Sequence, residues 1–363
     1  MTLQFKKKFM QLYIHLPTNL KVFELFVENK DLILWWRSKD ERQIADFFLK
    51  NFPGEVMNEL SPQYEMNFVS LRKLKQIDNN ITNNIQGIYY GSDNCEYLMP
   101  TKEEVEKALD LYNQANKKYF FKQWKRGFVL VTPYVGPKML ERAKQTLDYL
   151  NSVWKFEVVV NDLWVLRYIE KSCWNLKPIV GRLFHKLLKT PLVDTYWNRA
   201  HVPGEKAKNA KPSQIDEIQK QIVENQNEFY NSIELSLPSF VRFLDKHWIE
   251  RVGVDFMSKR EKLYQKEYEK WVDLYYPWAL VFTWRLCDTS AIENPTRWNY
   301  ATDEICPRTC WRYDIFYKLK TVWYHLIQRW NSAFRSEVDI ERLDEKFIYN
   351  KKNRIVYAPF VTV

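Results

Sequence analysis

The sequence predicts an α/β fold with a TIM-barrel-like (β/α)8 core, which helical insertions and a C-terminal extension would distort. Short runs rich in β-branched and aromatic residues alternate with longer amphipathic stretches over most of the 363 residues, a pattern typical of parallel sheets covered by helices. Roughly eight such runs occur, which fits a closed barrel better than an open sheet. The chain has only 8 glycines and no G-x-G-x-x-G fingerprint, so a dinucleotide-binding sheet is not supported.

The predicted strands are short apolar runs bounded by turn residues or by helical stretches. They are Leu12–His15, Gly87–Gly91, Phe128–Pro133, Glu157–Asn161, Pro178–Gly181, Ile233–Leu237, Arg251–Phe256 and Ala279–Trp284.

Amphipathic periodicity predicts helices between these strands. At the start of the first one, Thr101 and Glu104 form a capping box, in which each side chain bonds the other residue's backbone N–H. The helices are Thr101–Lys117, Lys138–Ser152, Asp162–Lys171 and Ser239–Lys246.

Changes in this rhythm suggest the domain organisation. We expect a barrel over residues 1–312, with insertions at about 34–80, 201–230 and 259–273, the second with a helix from near Ser213. Residues 313–363 are expected to form a helical extension packed on the barrel. In this extension, apolar residues recur every three or four positions from Tyr313 to Phe334, which predicts one amphipathic helix.

Four of the five cysteines have positions that suit metal ligands. Cys95 and Cys287 each follow a predicted strand, where the loops of a barrel carry its chemistry. Cys306 and Cys310 are close together after the last predicted strand. A chain of this length needs no disulfides for stability, so such thiols are more often ligands. Cys173, near the end of a predicted helix, is interpreted as a small buried residue.

Four thiolates suit either Zn²⁺ or an iron–sulfur cluster. Structural zinc sites favour paired C-x-x-C ligands, which are missing here, and Cys95 is distant in sequence from the other three. Dispersed ligands favour a [4Fe–4S] cluster, while Zn²⁺ and four unrelated cysteines remain alternatives.

The net charge of +10 favours anionic partners, although a generally basic background explains it equally well. An anionic small molecule is one candidate. RNA is another, less favoured because the lysines are scattered. The longest apolar stretch, Tyr275 to Trp284, is too short to span a membrane. We find no signal peptide and therefore expect a cytoplasmic protein without a membrane span.

Five further residues are weaker candidates. Arg285 and Arg308 flank cluster cysteines and would bind an anionic substrate, unless they are solvated or structural arginines. Asp162, Glu234 and His185 lie at or after predicted strand ends and are the catalytic candidates. For Asp162 a helix N-cap is the favoured alternative, and for His185 an ordinary core or surface histidine. No nucleophile lies in a recognised protease motif, and no H-E-x-x-H occurs.

Several segments resemble the peptidase U32 family of collagenase-like proteins with a TIM-barrel core. They are "IQGIYYGSDNCEY", "FEVVVNDLWVLRYIEK" followed by "LKPIVGRLF", "NSIELSLPSFVRFLDK", and "YYPWALVFTWRLCD" followed by "CPRTC". The likeness covers about residues 80 to 312 and is closest to the short members that assist oxygen-independent ubiquinone hydroxylation. The segment "VGVDFMSKREK" departs from the longer members, which have a histidine and a further cysteine there.

This resemblance implies that Cys95, Cys287, Cys306 and Cys310 ligate a [4Fe–4S] cluster. It also implies an enzyme or enzyme subunit for oxygen-independent hydroxylation or related redox chemistry on a small molecule, as a heterodimer with another family member. The alternatives are an RNA-hydroxylating factor and a non-catalytic iron–sulfur or zinc protein. Protease activity is not expected.

Overall fold

A computed structural model describes residues 11–28, 69–77, 85–119, 127–184, 237–256, 270–283, 287–292, 315–318, 325–329, 331–336, 339–343, 345–348 and 350–359. It also describes Glu217, Lys220, Gln221, Leu235, Cys306 and Cys310. Within these residues, no helix is long and apolar enough to cross a membrane.

The described residues form twelve strands and six helices with defined bounds. The strands are β1 (Gln11–Leu16), β2 (Ile85–Gly91), β3 (Phe128–Val131), β4 (Glu157–Val160), β5 (Lys177–Val180), β6 (Arg251–Asp255), β7 (Trp271–Tyr276), β8 (Trp278–Thr283), β9 (Ile315–Lys318), β10 (His325–Arg329), β11 (Ser332–Ser336) and β12 (Arg354–Tyr357). The helices are α1 (Leu20–Glu28), α2 (Lys102–Tyr119), α3 (Leu140–Val153), α4 (Leu163–Ser172), α5 (Pro238–Lys246) and α6 (Glu345–Ile348).

Eight of these strands close into a parallel barrel, which confirms the predicted (β/α)8-type fold. Their order around the barrel is β1-β12-β7-β6-β5-β4-β3-β2. Every neighbouring pair is parallel, including β1 with β12, where Tyr13 is in register with Val356. All the C-terminal strand ends therefore open onto one mouth of the barrel, where TIM-barrel enzymes have their active sites.

Alternation along each strand divides the buried residues into two groups. Residues facing outward, such as Ile14, Tyr90 and Leu130, join the large apolar layer between the barrel and its helices. Residues facing inward form a separate cluster that helps to fill the barrel interior, as side chains do in other small barrels. Its members are Tyr13, Tyr89, Val129, Val131, Val159, Ile179, Tyr275 and Val356.

Gly91, at the end of β2, has a conformation that requires glycine. Its φ is +134°, and a Cβ there would lie 2.2 Å from the carbonyl oxygen of Val131. This backbone leads into the loop that carries Cys95. A side chain at Gly91 would therefore displace that loop.

A four-stranded antiparallel sheet, in the order β8-β11-β10-β9, lies at the C-terminal mouth. One residue, Pro277, separates the end of β7 from the start of β8. Asn331, just before β11, donates a hydrogen bond to the carbonyl oxygen of Asn94 at 3.2 Å. Trp278 and Phe334 from this sheet pack with Cys95 from the barrel loop. The sheet thus covers the mouth on which the cysteine loops converge.

The single helix predicted from Tyr313 to Phe334 is wrong. The described part of that segment contains β9 and β10 and the beginning of β11. In the antiparallel pairing Ile327 is in register with Phe334, and both are buried. Pairing of β11 with the distant β8 prevails over the local three-to-four spacing of apolar residues, which short strands can also reproduce by chance.

The division at residue 312 is also wrong, because β12 from the expected extension is the eighth barrel strand. β7 is the other barrel strand that was not predicted. Its sequence includes the charged Asp273, and its first residues fall in the proposed 259–273 insertion.

The predicted strand Ala279–Trp284 corresponds to β8, which belongs to the four-stranded sheet and not to the barrel. Of Ile233–Leu237, the described Leu235 has 3-10 conformation and Leu237 directly precedes α5.

The proposed insertions are described only in part. Residues 69–77, expected to be irregular, are helical, and Leu71 and Leu74 lie in the main apolar layer. Within 201–230, the three described residues, Glu217, Lys220 and Gln221, have helical conformation. The remainder of the 34–80 and 201–230 segments and residues 257–269 lie outside the described residues.

Candidate functional site at the C-terminal mouth of the barrel

A buried arginine organises the polar side chains at this mouth. Arg182 follows β5 and is 1% exposed. Its Nη2 donates to Asp93 Oδ2 at 2.8 Å, its Nη1 to Asp255 Oδ1 at 3.0 Å and to the carbonyl oxygen of Trp278 at 3.1 Å. The guanidinium also lies 4.4 Å from the centre of the Tyr275 ring. Both carboxylates are fully buried, so this arginine has the paired, hydrogen-bonded surroundings that make a buried charge tolerable.

Asn161 extends the cluster to the neighbouring loops. Its Nδ2 donates to Asp93 Oδ1 at 3.2 Å and to the carbonyl oxygen of Thr132 at 2.9 Å. Its Oδ1 accepts from the backbone N–H of Leu183 at 3.1 Å. The loops after β2, β3, β4 and β5 are therefore joined by one hydrogen-bonded network.

His15, at the end of β1, is fully buried beside this network. Its Nε2 lies 3.1 Å from the carbonyl oxygen of Gly91. Since a carbonyl only accepts, Nε2 carries the proton and Nδ1 is the basic nitrogen. Burial lowers the pKa of His15 to about 4, aided by Arg182 and opposed by Asp93. Nδ1 is buried without a hydrogen-bond partner among the described residues, and the imidazole is uncharged near neutral pH.

The loop from Ser92 to Cys95 brings the first candidate ligand to the mouth. Ser92 Oγ accepts from the backbone N–H groups of Asn94 and Cys95 at 3.4 and 3.5 Å. With Asp93 held by Arg182, the backbone before Cys95 is fixed from two sides. Cys95 itself is 6% exposed.

Three cysteines from separate chain segments lie in one apolar cluster. Cys95 and Cys310 are buried in it together with Trp278 and Phe334, and the half-buried Cys287 packs against it. The thiol of Cys287 lies 3.1 Å from Thr289 Oγ1.

The fourth cysteine, Cys306, lies close enough to this cluster to affect the pKa of Cys95. Burial raises the pKa of the Cys95 thiol, and the charges that Cys287 and Cys306 acquire on ionisation raise it further. The pKa of Tyr97 is raised by burial and, to smaller extents, by charges that include those of Cys306 and Cys95. The structure therefore places Cys95, Cys287, Cys306 and Cys310 in one region. Within the described ranges, no three His, Cys, Asp or Glu side chains form a group arranged to hold a metal ion.

Polar atoms buried around Cys95 have unused hydrogen-bonding capacity. The indole Nε1–H of Trp278 and both side-chain polar atoms of Asn94 have no partner in the described structure. Trp278 is in the same apolar cluster as Cys95, and Asn94 precedes Cys95 in the chain. Buried donors of this kind ordinarily have an acceptor, and sulfur atoms of an iron–sulfur cluster accept N–H hydrogen bonds.

The other sequence candidates have different outcomes. Asp162 is the N-cap of α4, and its Oδ1 accepts from the backbone N–H of Trp164 at 2.7 Å, which accounts for its carboxylate. His185, Glu234, Arg285 and Arg308 lie outside the described residues. Cys173 is fully buried in the main apolar layer, as predicted.

Sequence reasoning missed the network itself, namely His15, Asp93, Asn161, Arg182 and Asp255. Each lies within the last two residues of a barrel strand or within two residues after one. Polar residues at the ends of apolar runs were the available signal. Position after a strand end selected His185 as a candidate from the loop after β5. The residue of that loop that belongs to the network is Arg182.

Comparison with known proteins adds no relative. The chain matches no family model, no curated protein and no solved structure.

Proposed function

We propose that this protein binds a [4Fe–4S] cluster through Cys95, Cys287, Cys306 and Cys310 at the C-terminal mouth of its barrel. We propose further that it is an enzyme or enzyme subunit for redox chemistry on a small molecule, of the oxygen-independent hydroxylation type. One observation carries the proposal: Cys95, Cys287 and Cys310, which are far apart in sequence, belong to one apolar cluster at the mouth where TIM barrels perform chemistry.

The surroundings of Cys95 suit such a cluster. The apolar side chains packed around Cys95 limit solvent access, which is one means by which a protein sets a cluster's potential. The buried N–H groups of Trp278 and Asn94 provide donors for cluster sulfurs. Burial raises the pKa of the Cys95 thiol, so ligation would have to supply the positive charge that stabilises its thiolate.

When bound, a [4Fe–4S] cluster supplies one-electron transfer. The chain's own residues have separate roles. Arg182 and Asp93 hold the loop before Cys95 in place. His15 stays uncharged near neutral pH because burial lowers its pKa to about 4, and it donates from Nε2 to the Gly91 carbonyl oxygen. Asp255 holds Arg182 on its other side.

Anaerobic purification with measurement of iron, acid-labile sulfide and visible absorbance tests the proposal. We expect brown protein with about four iron and four sulfide per chain. Cys306→Ala should abolish the colour, because it removes one of the four proposed ligands. Cys306 is only half-buried, so its replacement should have little effect on the core. Cys173→Ala is the matched control, since Cys173 is buried in a different cluster, and it should keep its iron.

Two results would contradict the proposal. Colourless protein that contains zinc would indicate four thiolates around a single ion, with sulfurs roughly 4 Å apart in a tetrahedral site. Iron retained at full occupancy by the Cys306→Ala variant would mean that the ligand set is wrong.

A further inference from the structure

A cavity lies at the mouth opposite the cysteines, at the N-terminal ends of the strands. Its volume is about 510 Å³, and its lining includes Tyr13, Lys155, Glu157, Lys177, Trp271 and Arg354. This volume is within the range of small-molecule sites, roughly 300–1,000 Å³. The N-terminal mouth of a TIM barrel usually serves stability, so a cavity of this size there requires another explanation.

The charge of the lining is unbalanced. Lys155 and Lys177 are exposed at the rim, and neither has an ion-pair partner in the part of the chain that the structure describes. Arg354 forms part of the wall. Glu157 is the carboxylate in the lining, and its Oε2 is occupied by Arg354 Nη2 at 2.7 Å. Three cationic groups therefore face the cavity against one carboxylate, and the two lysines are uncompensated.

Arg354 is held in a fixed orientation. Its Nη1 lies 3.1 Å from Tyr89 Oη, and its guanidinium is 4.4 Å from the centre of the Tyr13 ring. The residue is 6% exposed, yet its Nε–H is buried with no hydrogen-bond acceptor in the described structure. Leaving such a donor unpaired costs about 1–3 kcal/mol, and an acceptor atom of a bound ligand would recover this cost.

The residues behind Arg354 add no negative charge to attract a cation. Arg251 Nη1 bonds Asp273 Oδ1 at 2.6 Å, so these two charges offset each other. The Nε of Arg251 makes no hydrogen bond among the described residues, but it lies 3.6 Å from Glu157 Oε1 and forms an ion pair with that carboxylate. The region thus contains Arg354, whose Nε–H has no acceptor in the described structure, and two lysines at its entrance.

We propose that this cavity binds a small organic anion through a carboxylate or phosphate group. Lys155 and Lys177 attract and contact the anion at the rim, and Arg354 forms the fixed inner wall. An arginine held in place by its neighbours loses little side-chain entropy on binding, which favours recognition of carboxylate and phosphate oxygens. The site is separate from the cysteine cluster and does not require a bound metal.

Calorimetric titration at constant ionic strength tests the proposal with three probes, namely benzoate, phenyl phosphate and uncharged benzyl alcohol. We expect at least one anion to bind the wild-type protein and benzyl alcohol not to bind. The anion that binds more tightly identifies the group as carboxylate or phosphate. The Lys155→Gln/Lys177→Gln double variant should weaken its affinity at least tenfold.

A matched control separates this site from general charge effects. Lys107→Gln/Lys171→Gln removes the same charge from exposed positions on α2 and α4 and should leave the affinity unchanged. The proposal fails if neither anion binds the wild-type protein, or if the Lys155/Lys177 double variant binds as tightly as the control variant. Both double variants alter exposed side chains, and circular dichroism verifies that they are folded.

Discussion

At the residue scale, the barrel has a buried charged network at each end. One is centred on Arg182 at the C-terminal mouth and the other on Arg354 and Asp273 at the opposite mouth. The rings of Tyr13, Tyr89 and Tyr275 lie between them in edge contacts with centroids 5.5 and 6.3 Å apart. Breaking one buried partnership would leave an uncompensated charge, which typically costs about 3–5 kcal/mol.

His15 gives this network a measurable pH dependence. Its pKa of about 4 in the folded protein lies below the ordinary value of 6.5, so the unfolded chain binds more protons between these two values. The stability that neutral His15 contributes is therefore complete above about pH 6.5 and is lost as the pH falls towards 4. Between pH 7 and pH 4.5 this loss amounts to about 2–3 kcal/mol.

Urea unfolding of the wild-type protein and of His15→Gln at pH 7 and pH 4.5 measures this effect. Glutamine can still donate to the Gly91 carbonyl oxygen but does not titrate. We expect the free energy of unfolding to fall more in the wild-type protein than in the variant, by that amount. Equal losses in both proteins would show that His15 titrates normally.

At the element scale, α2 shows how a local sequence signal determines a helix boundary. Thr101 N–H donates to Glu104 Oε2 at 2.9 Å, and Glu104 N–H donates to Thr101 Oγ1 at 3.2 Å. The predicted capping box is thus confirmed. Capping of this kind satisfies backbone N–H groups that have no partner inside the helix.

Thr101→Ala should reduce the free energy of unfolding by about 1 kcal/mol, because the Glu104 N–H loses its side-chain acceptor. Thr101→Ser keeps the hydroxyl and should remain within about 0.5 kcal/mol of the wild-type protein. Chemical denaturation of the three proteins provides the comparison. Equal destabilisation by alanine and serine would contradict the capping role.

Elements with local signals were predictable from the sequence, and elements that depend on distant pairing were not. Six barrel strands and four helices follow from apolar runs and periodicity. β7 was missed because it includes Asp273, whose charge is tolerated because Arg251 Nη1 lies 2.6 Å away and Tyr89 Oη donates a hydrogen bond to it. Likewise, the cysteines could be selected by position, whereas the carboxylate partners of Arg182 lie 73 and 89 residues away in the sequence.

At the scale of the whole molecule, the barrel depends on its eighth strand. β12 pairs with β1 on one side and β7 on the other, and Ile355 is fully buried. Ile355→Asp places an unpaired carboxylate in the apolar layer. It should lower the free energy of unfolding by more than about 4 kcal/mol and so prevent stable folding. Lys351→Asp, at an exposed position just before β12, should leave the protein folded.

Far-UV circular dichroism and thermal melting distinguish these two variants. A cooperative melt of Ile355→Asp at the wild-type temperature would mean that the chain closes its barrel without β12.

The same closure has a consequence for biosynthesis. Gln11 in β1 pairs with Arg354 in β12, so the first and last described strands must meet before the sheet has no free edge. A ribosome makes the chain from the N-terminus, and β12 is therefore the last strand to become available. Until then the nascent chain has β1 and β7 as open edges, which are prone to pair with other chains. A chaperone that shields those edges during translation would act in the interval between the synthesis of β7 and that of β12.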